Sequence, residues 1–256
     1  MAKKVKFSWL KNPEVKTLVA ALGRDVIRFV GGAVRDSLLG LKVYDIDVAT
    51  TLHPSEVQKK LEKAGVKVIP TGIKHGTLTA LINHQPFEIT TLRHDKNPDG
   101  RHAEVEYHTD WREDAKRRDF TMNALYLEPN GTLHDYYGGE TDCRSGIVKF
   151  IGDASQRIEE DALRMFRFFR FFGNYGKGPM DAEALSAIQQ NAHLAQNLSV
   201  ERIWSETKKI LQSANVIAVL DQMDECGLLP EGIIIPTDEH QMLGLVELED
   251  YLRSRH

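Results

Sequence analysis

Two cysteines in 256 residues are too few for a disulfide framework, and Cys143 and Cys226 stand 83 positions apart, without zinc-ligand spacing. A reducing compartment, the cytoplasm, is therefore expected. Long apolar runs are also missing. Gly232–Ile235 is typical of the longest, so no segment reaches bilayer length, and no leader-like stretch follows Met1-Ala2-Lys3-Lys4. No membrane partner is expected. The ten histidines do not cluster at metal-ligand spacing, and there is no internal repeat or low-complexity segment. With 41% hydrophobic and 27% charged residues, the composition excludes general disorder and allows a sizeable core.

The net charge of −4 hides an asymmetry. Residues 211–256 hold nine acids against two bases, for −7, which leaves +3 on residues 1–210. A polyanionic partner would favour the first part of the chain. That part reads as mixed α/β. Strands are expected at Val26–Val30, Tyr44–Ala49, Val66–Ile69, Thr77–Ile82, Pro86–Leu92 and Val105–Tyr107. Helices are expected at Ala33–Leu39 and at Pro54–Ala64, the latter with Pro early and Ser55 nearby. Asn97–Gly100 reads as a loop. Beyond about residue 150 the spacing is helical throughout, at Glu159–Phe172, Asp181–Asn191, Val200–Ser213 and Val216–Cys226. Two domains are expected, 1–150 and 151–256.

Three clusters carry chemistry. In Gly31-Gly32-Ala33-Val34-Arg35-Asp36 a strand runs through a glycine pair into a helix start, where free backbone N–H groups can bind phosphate and Arg35 adds a cationic fork. It is neither a Walker loop nor a dinucleotide fingerprint. Asp45-Ile46-Asp47 follows. On a strand the two carboxylates share a face and Ile46 faces the core, which makes a hard-cation site suited to Mg²⁺. Paired aspartates beside a phosphate cradle are what two-metal nucleotidyl transfer needs. Glu88 and Asp119 are both candidates for a third carboxylate. Further on, Asp161 and Arg164 are spaced three apart on the expected helix and so are neighbours. A carboxylate accepts and a guanidinium donates, which matches the amino group and ring acceptor of cytosine and adenine and mismatches uracil and guanine. Arg167 and Arg170 extend this row. Arg170 drifts too far round to face the base and is expected to reach phosphate or brace the pocket. Phe166, Phe168, Phe169, Phe171 and Phe172 read as core.

Phe29–Gly40 (Phe-Val-Gly-Gly-Ala-Val-Arg-Asp-Ser-Leu-Leu-Gly) with Asp45-Ile46-Asp47 resembles the first motif of class II CCA-adding tRNA nucleotidyltransferases and bacterial poly(A) polymerases. Arg117–Leu125 is similar to that family's ribose-binding motif, Glu160–Arg167 to its base-reading motif, and Glu201–Glu206 to its neck motif. The resemblance runs in order over residues 26–212. It implies an α/β head of the polymerase-β-like nucleotidyltransferase type, a mixed sheet with flanking helices, followed by an all-α neck region. It implies catalytic and metal-binding Asp45 and Asp47, with Mg²⁺ as cofactor. Gly32, Arg35, Arg118, Asp161, Arg164, Arg167 and Arg170 would bind nucleotide, and Asp119 would help distinguish ribose from deoxyribose. The implied reaction adds CMP and AMP from CTP and ATP to a tRNA 3′ end without a nucleic-acid template. The rivals are a poly(A) polymerase, an enzyme adding only part of CCA, and a non-catalytic RNA- or nucleotide-binding module. The region Arg93–Val105 would be the flexible loop that reshapes the pocket for ATP. Family members usually continue into a body and tail that hold tRNA. This sequence is expected to be a short form lacking most of both, with tRNA held by head and neck or by a second subunit in a homo-oligomer.

Overall fold

The computed structural model describes residues 3–72, 76–96 and 104–229. The expected loop at 97–100, the middle of the expected hinge region, and most of the acidic C-terminal stretch lie outside the described residues.

Strand β1 (Lys3–Lys4) and a short turn of helix lead into α1 (Pro13–Leu22). The chain then runs β2 (Ile27–Val30), α2 (Gly32–Leu38), β3 (Ile46–Thr50), α3 (Pro54–Lys63), β4 (Lys67–Gly72), β5 (Thr77–Ile82) and β6 (Gln85–Thr91). Strands β7 (Arg93–Lys96) and β8 (Glu104–Tyr107) pair antiparallel as a separate ribbon. Next come α4 (Trp111–Lys116), β9 (Leu125–Leu127), β10 (Thr132–Asp135) and α5 (Gly139–Ser145). The remainder is helical: α6 (Ala154–Glu160), α7 (Leu163–Tyr175), α8 (Ala182–Asn191), α9 (Val200–Leu211) and α10 (Val216–Glu225).

The main sheet has the order β1-β10-β9-β2-β3-β6-β5-β4. Its pairs are antiparallel except β3–β6, which is parallel. This mixed sheet is the head fold that the motifs implied. Helices α1, α2 and α3 cover one face, where Leu18, Leu22, Val34, Val57 and Leu61 meet Ile27, Phe29, Ile46, Val48, Phe87 and Ile89. Strand alternation turns Val30, Asp47 and Ala49 to the opposite face. There Val30 and Ala49 pack with Leu92, Ala115, Tyr126 and Ile151.

A second core lies under the helical region. Phe166, Phe168, Phe169, Phe171 and Phe172 are all at most 6% exposed, as expected for core rather than stacking residues. Phe120, Met122, Cys143, Val148 and Phe150 join the same core, so residues 120–150 build both head and helices.

Three details differ from the expectations or add to them. Strand β3 begins at Ile46 and leaves Tyr44 76% exposed. The sequence pattern assigns no cap to α3, and His53 supplies it: His53 accepts from the Ser55 N–H, and Glu56 reaches back to the His53 N–H. The expected helix Glu159–Phe172 is two helices. Asp161 adopts φ −155° and ψ 102°, which ends α6 before α7 begins. Elements α1, α4, α5, β9 and β10 had no sequence expectation.

Phe168 stands between Phe150, Phe120 and Phe169 at ring distances of 5.9, 6.3 and 5.5 Å. Phe168→Ala should destabilise the fold by about 3–5 kcal/mol, read as a lower urea midpoint with the slope unchanged. A loss below about 1 kcal/mol would show that this core is not the one holding the helices.

Candidate active site

Gly31 links β2 to α2 at φ 68°, a conformation that strains any other residue. Gly32 is different. A Cβ there would meet only the Arg35 guanidinium, at 3.6 Å, so the fold does not demand glycine at that position. Its missing side chain leaves room for a ligand at the start of α2.

Asp47 lies on β3 opposite Val30 on β2 and beside Glu88 on β6. Asp45 stands just before the strand, close enough for its charge to act on Asp47, and Ile46 is 3% exposed in the core, as the alternation within β3 requires. Burial first, then the charges of Glu88 and Asp45, push the Asp47 carboxyl up to about 6, against the pull of Arg118. Two like charges, those of Glu88 and Asp45, act on a carboxyl that solvent still reaches. Of the two candidates for a third carboxylate, Glu88 stands beside Asp47 in the sheet, and Asp119 is not among the charges that act on Asp47. Among the described residues no group of three or more His, Cys, Asp or Glu side chains is close enough to hold a metal unaided. Mg²⁺ commonly takes one or two carboxylates and completes its shell with water and substrate phosphates, so this donor set fits it.

Asp119 serves another purpose. It accepts from Arg167 Nε at 2.9 Å and Nη2 at 2.5 Å, from Asn123 Nδ2 at 3.0 Å and from the Phe120 N–H at 2.8 Å. Burial opposes ionisation, but Arg167 and these hydrogen bonds hold its carboxyl below the usual range. Arg35 is not the free fork expected at the glycine turn. It is buried and donates to Asp36 at 2.8 Å, Asn123 Oδ1 at 2.6 Å and Tyr175 OH at 2.7 Å. It ties α2 to the second motif and to α7.

Arg118 does reach the site. Its Nη1 lies 3.8 Å from where a Cβ on Gly31 would stand, and its charge acts on Asp47. Asp161 and Arg164 are placed differently from the expected helical neighbours. Arg202 of α9 donates to both Asp161 carboxylate oxygens, at 3.0 and 3.2 Å. Arg164 donates to Glu160 at 2.8 Å and to the carbonyls of Arg157 at 2.7 Å and Arg117 at 3.3 Å. Arg170 braces α7 against α9 by donating to Glu206 at 2.5 Å, and with Asn174, Tyr175, Lys209 and Gln212 it lines a concavity of about 510 Å³.

Sequence reasoning missed Asp114, Tyr126, Arg157 and Arg202. Asp114 is fully buried and binds Arg117 at 2.7 Å. Arg157 supports the chain behind Arg118 by donating to the Arg117 and Arg118 carbonyls. A carboxylate three or four positions before paired arginines was the signal available for Asp114. Arg202 was already inside a recognised motif.

The sheet topology and the placement of the motifs define a polymerase-β-like nucleotidyltransferase head with a helical neck. Residues 27–149 match the poly A polymerase head domain, and residues 179–232 match the probable RNA and SrmB-binding site of polymerase A. The chain belongs to this family, that of CCA-adding tRNA nucleotidyltransferases and poly(A) polymerases. It is 50% identical over 193 residues to CCA tRNA nucleotidyltransferase 1, mitochondrial, of Homo sapiens, covering 74% of this chain and 44% of that one. With the CCA-adding enzyme of Geobacillus kaustophilus it shares 40% identity over 202 residues, or 78% of this chain and 49% of that one. The Bacillus stearothermophilus CCA-adding enzyme in complex with CTP superposes with a TM-score of 0.76 at 35% identity, over 85% of this chain and 53% of that one. The chain spans about half the length of the curated relatives it matches. No helix among the described residues is long and apolar enough to cross a membrane.

Because the folded pKa of Asp47 is raised, its ionisation opposes folding. The penalty is absent below the unfolded value near 3.8 and complete above about 6. In EDTA, Asp47→Asn should therefore raise the melting temperature at pH 7.5, and the gain should vanish as pH falls toward 4. A gain that is constant across this range would mean that charge repulsion is not its source.

Proposed function

We propose that this chain adds CMP and AMP from CTP and ATP to the 3′ end of tRNA, as a template-independent nucleotidyltransferase. The observation that carries the reading is the convergence of Asp45, Asp47, Glu88 and Arg118 on the glycine turn between β2 and α2. A binding module has no use for carboxylates forced together against their mutual repulsion. The names of the relatives agree with this reading.

Asp45 and Asp47 would hold Mg²⁺, which when bound favours ionisation of the attacking 3′-hydroxyl and offsets charge on the triphosphate. The space at Gly32 admits the triphosphate, and Arg118 lies beside it. Asp119, fixed by Arg167, stands next to Arg118 to set the ribose contact. Residues 1–150 would carry catalysis, and residues 151–256 base recognition and RNA binding, with Arg170 and Lys209 meeting RNA phosphate. Two free, buried thiols, one of them pushed up to about 11 by burial at Cys143, suit a reducing compartment, the cytoplasm.

For base choice, Asp161 supplies the acceptor and Arg164 the donor at the start of α7. Asp161 must first release Arg202. That pair is exposed, with side chains 33% and 43% accessible, and such pairs are worth about 0–1 kcal/mol, so exchange for a base amino group is easy. Arg164 keeps Nε without an acceptor among the described residues.

The test is to incubate the chain with tRNA lacking its 3′ end and with each NTP, and to size the products. Extension that stops after C-C-A is expected. Continued growth with ATP alone would make it a poly(A) polymerase, and no extension would leave a binding module. Asp45→Ala or Asp47→Ala should lower transfer by at least 10³-fold with the fold intact, since a ligand is lost and no core volume. Near-normal turnover from either variant would overturn the metal assignment. Changing Asp161 and Arg164 together should raise UTP and GTP use relative to CTP and ATP by at least tenfold. Equal use of all four nucleotides by the unaltered chain would refute protein-templated choice.

A further inference from the structure

Asp114, Tyr126 and Arg118 form a buried relay that the reaction scheme leaves without a task. Tyr126 is fully buried on β9, and its ring is fixed by two aromatic neighbours. Trp111 meets it at 5.8 Å and 74°, and Tyr136 at 6.1 Å and 67°. Arg28 locks both neighbours, stacking over Trp111 at 4.3 Å and donating to the Tyr136 hydroxyl at 2.8 Å.

The Tyr126 hydroxyl makes two bonds of opposite sense. It accepts from Arg118 Nε at 2.9 Å and donates to Asp114 Oδ2 at 2.6 Å. The direct contact from Arg118 Nη2 to Asp114 is long, at 3.4 Å. The other Asp114 oxygen is taken by Arg117, at 2.8 Å from Nε and 2.7 Å from Nη2. So among the described residues the only close bond that Arg118 makes with a side chain is to Tyr126. Packing alone would be served by phenylalanine, and a buried hydroxyl is unfavourable unless bonded. Arg118 Nη1, directed at the Gly31 turn, has no acceptor among the described residues. An arginine acting only as an internal clamp between α4 and β9 would not leave that donor facing the site.

We propose that Tyr126 is a positioning residue for nucleotide binding: with Asp114 it fixes the Arg118 guanidinium so that Nη1 points at the donor nucleotide's site between the glycine turn and Asp47. This rests on the functional reading above, in which Arg118 touches the nucleotide. Arg118 is held by one edge and keeps the other for ligand. Burial would raise the Asp114 carboxyl, but Arg118 and Arg117 outweigh it and bring it to about 2, so the anchor stays charged throughout the working pH range.

The test is a double-mutant cycle read by calorimetric titration of the chain with CTP and Mg²⁺, well below the melting temperature. Tyr126→Phe should weaken CTP binding roughly tenfold, and Arg118→Ala should weaken it further. The double variant should bind no more weakly than Arg118→Ala alone, because Tyr126 acts through the arginine. In steady state, Tyr126→Phe should raise KM for both nucleotides with kcat little changed. A merely structural tyrosine would lower the melting temperature and leave KM alone. The proposal is overturned if Tyr126→Phe binds CTP as the unaltered chain does, or if it costs the same factor in both backgrounds. Should Tyr126→Phe fail to fold, Asp114→Asn enters the same cycle under the same two criteria. Absence of CTP binding by the unaltered chain would overturn the proposed function, and the positioning role with it. Normal CTP binding with no coupling overturns the positioning role alone.

Discussion

The ring of bonds through Asp119 holds the molecule's parts together. Arg167 from α7 grips the carboxylate, Asn123 grips the same carboxylate, and Asn123 in turn accepts from Arg35 of α2. Arg35 closes the ring on the Tyr175 hydroxyl, again in α7. The first, ribose-binding and base-reading motifs contribute Arg35, Asp119 with Asn123, and Arg167 to this ring. Asp119 is 8% exposed and Arg35 7%, so breaking one member would strand a buried charge, at about 3–5 kcal/mol. The ring therefore fixes the register between the sheet that bears Asp47 and the helix that begins beside Asp161. It also explains why residues 120–150 divide their side chains between two cores. A seam that must transmit position cannot be a flexible linker.

Asp47 is in the opposite condition. Its neighbours Glu88 and Asp45 repel it, and only Arg118 opposes them. Arg35, the arginine of the same motif, is not among the charges that act on Asp47. That arginine is spent on the ring. Stability is thus concentrated at the seam and withheld at the acids, and a ligand carrying positive charge would relieve what folding does not.

How much of this was legible in the sequence follows from how far each interaction reaches. Alternation in Asp45-Ile46-Asp47 and the glycine turn are local, and both stand where the pattern placed them. Strands β5 and β6 and helices α3, α8 and α9 were also legible, because their periodicity runs for six residues or more. Strand β9 was not. Leu125-Tyr126-Leu127 is three buried residues without alternation, set between β2 and β10. Helix α4 has six residues, and its acids and bases look like a solvated face until Tyr126 and Arg118 close over Asp114. For Glu88 against Asp119 the sequence offered no choice, since both are single acids near motif residues. That Glu88 stands beside Asp47 follows from the parallel pairing of β3 with β6, which is long-range.

The break at Asp161 shows why a correct motif can still mislead about geometry. Helical spacing across Glu159–Phe172 is apolar enough to continue, yet the backbone at Asp161 is extended. A continuous helix would have aimed Asp161 and Arg164 along one face and tied them to each other. The break separates their partners. Asp161 accepts from the Leu163 N–H at 3.2 Å and turns its carboxylate to Arg202, while Arg164 folds back onto Glu160. An acceptor and a donor that are not satisfied by each other remain available to a third group that needs both. The extended residue that ends α6 therefore keeps the two side chains apart, Asp161 on Arg202 and Arg164 on Glu160.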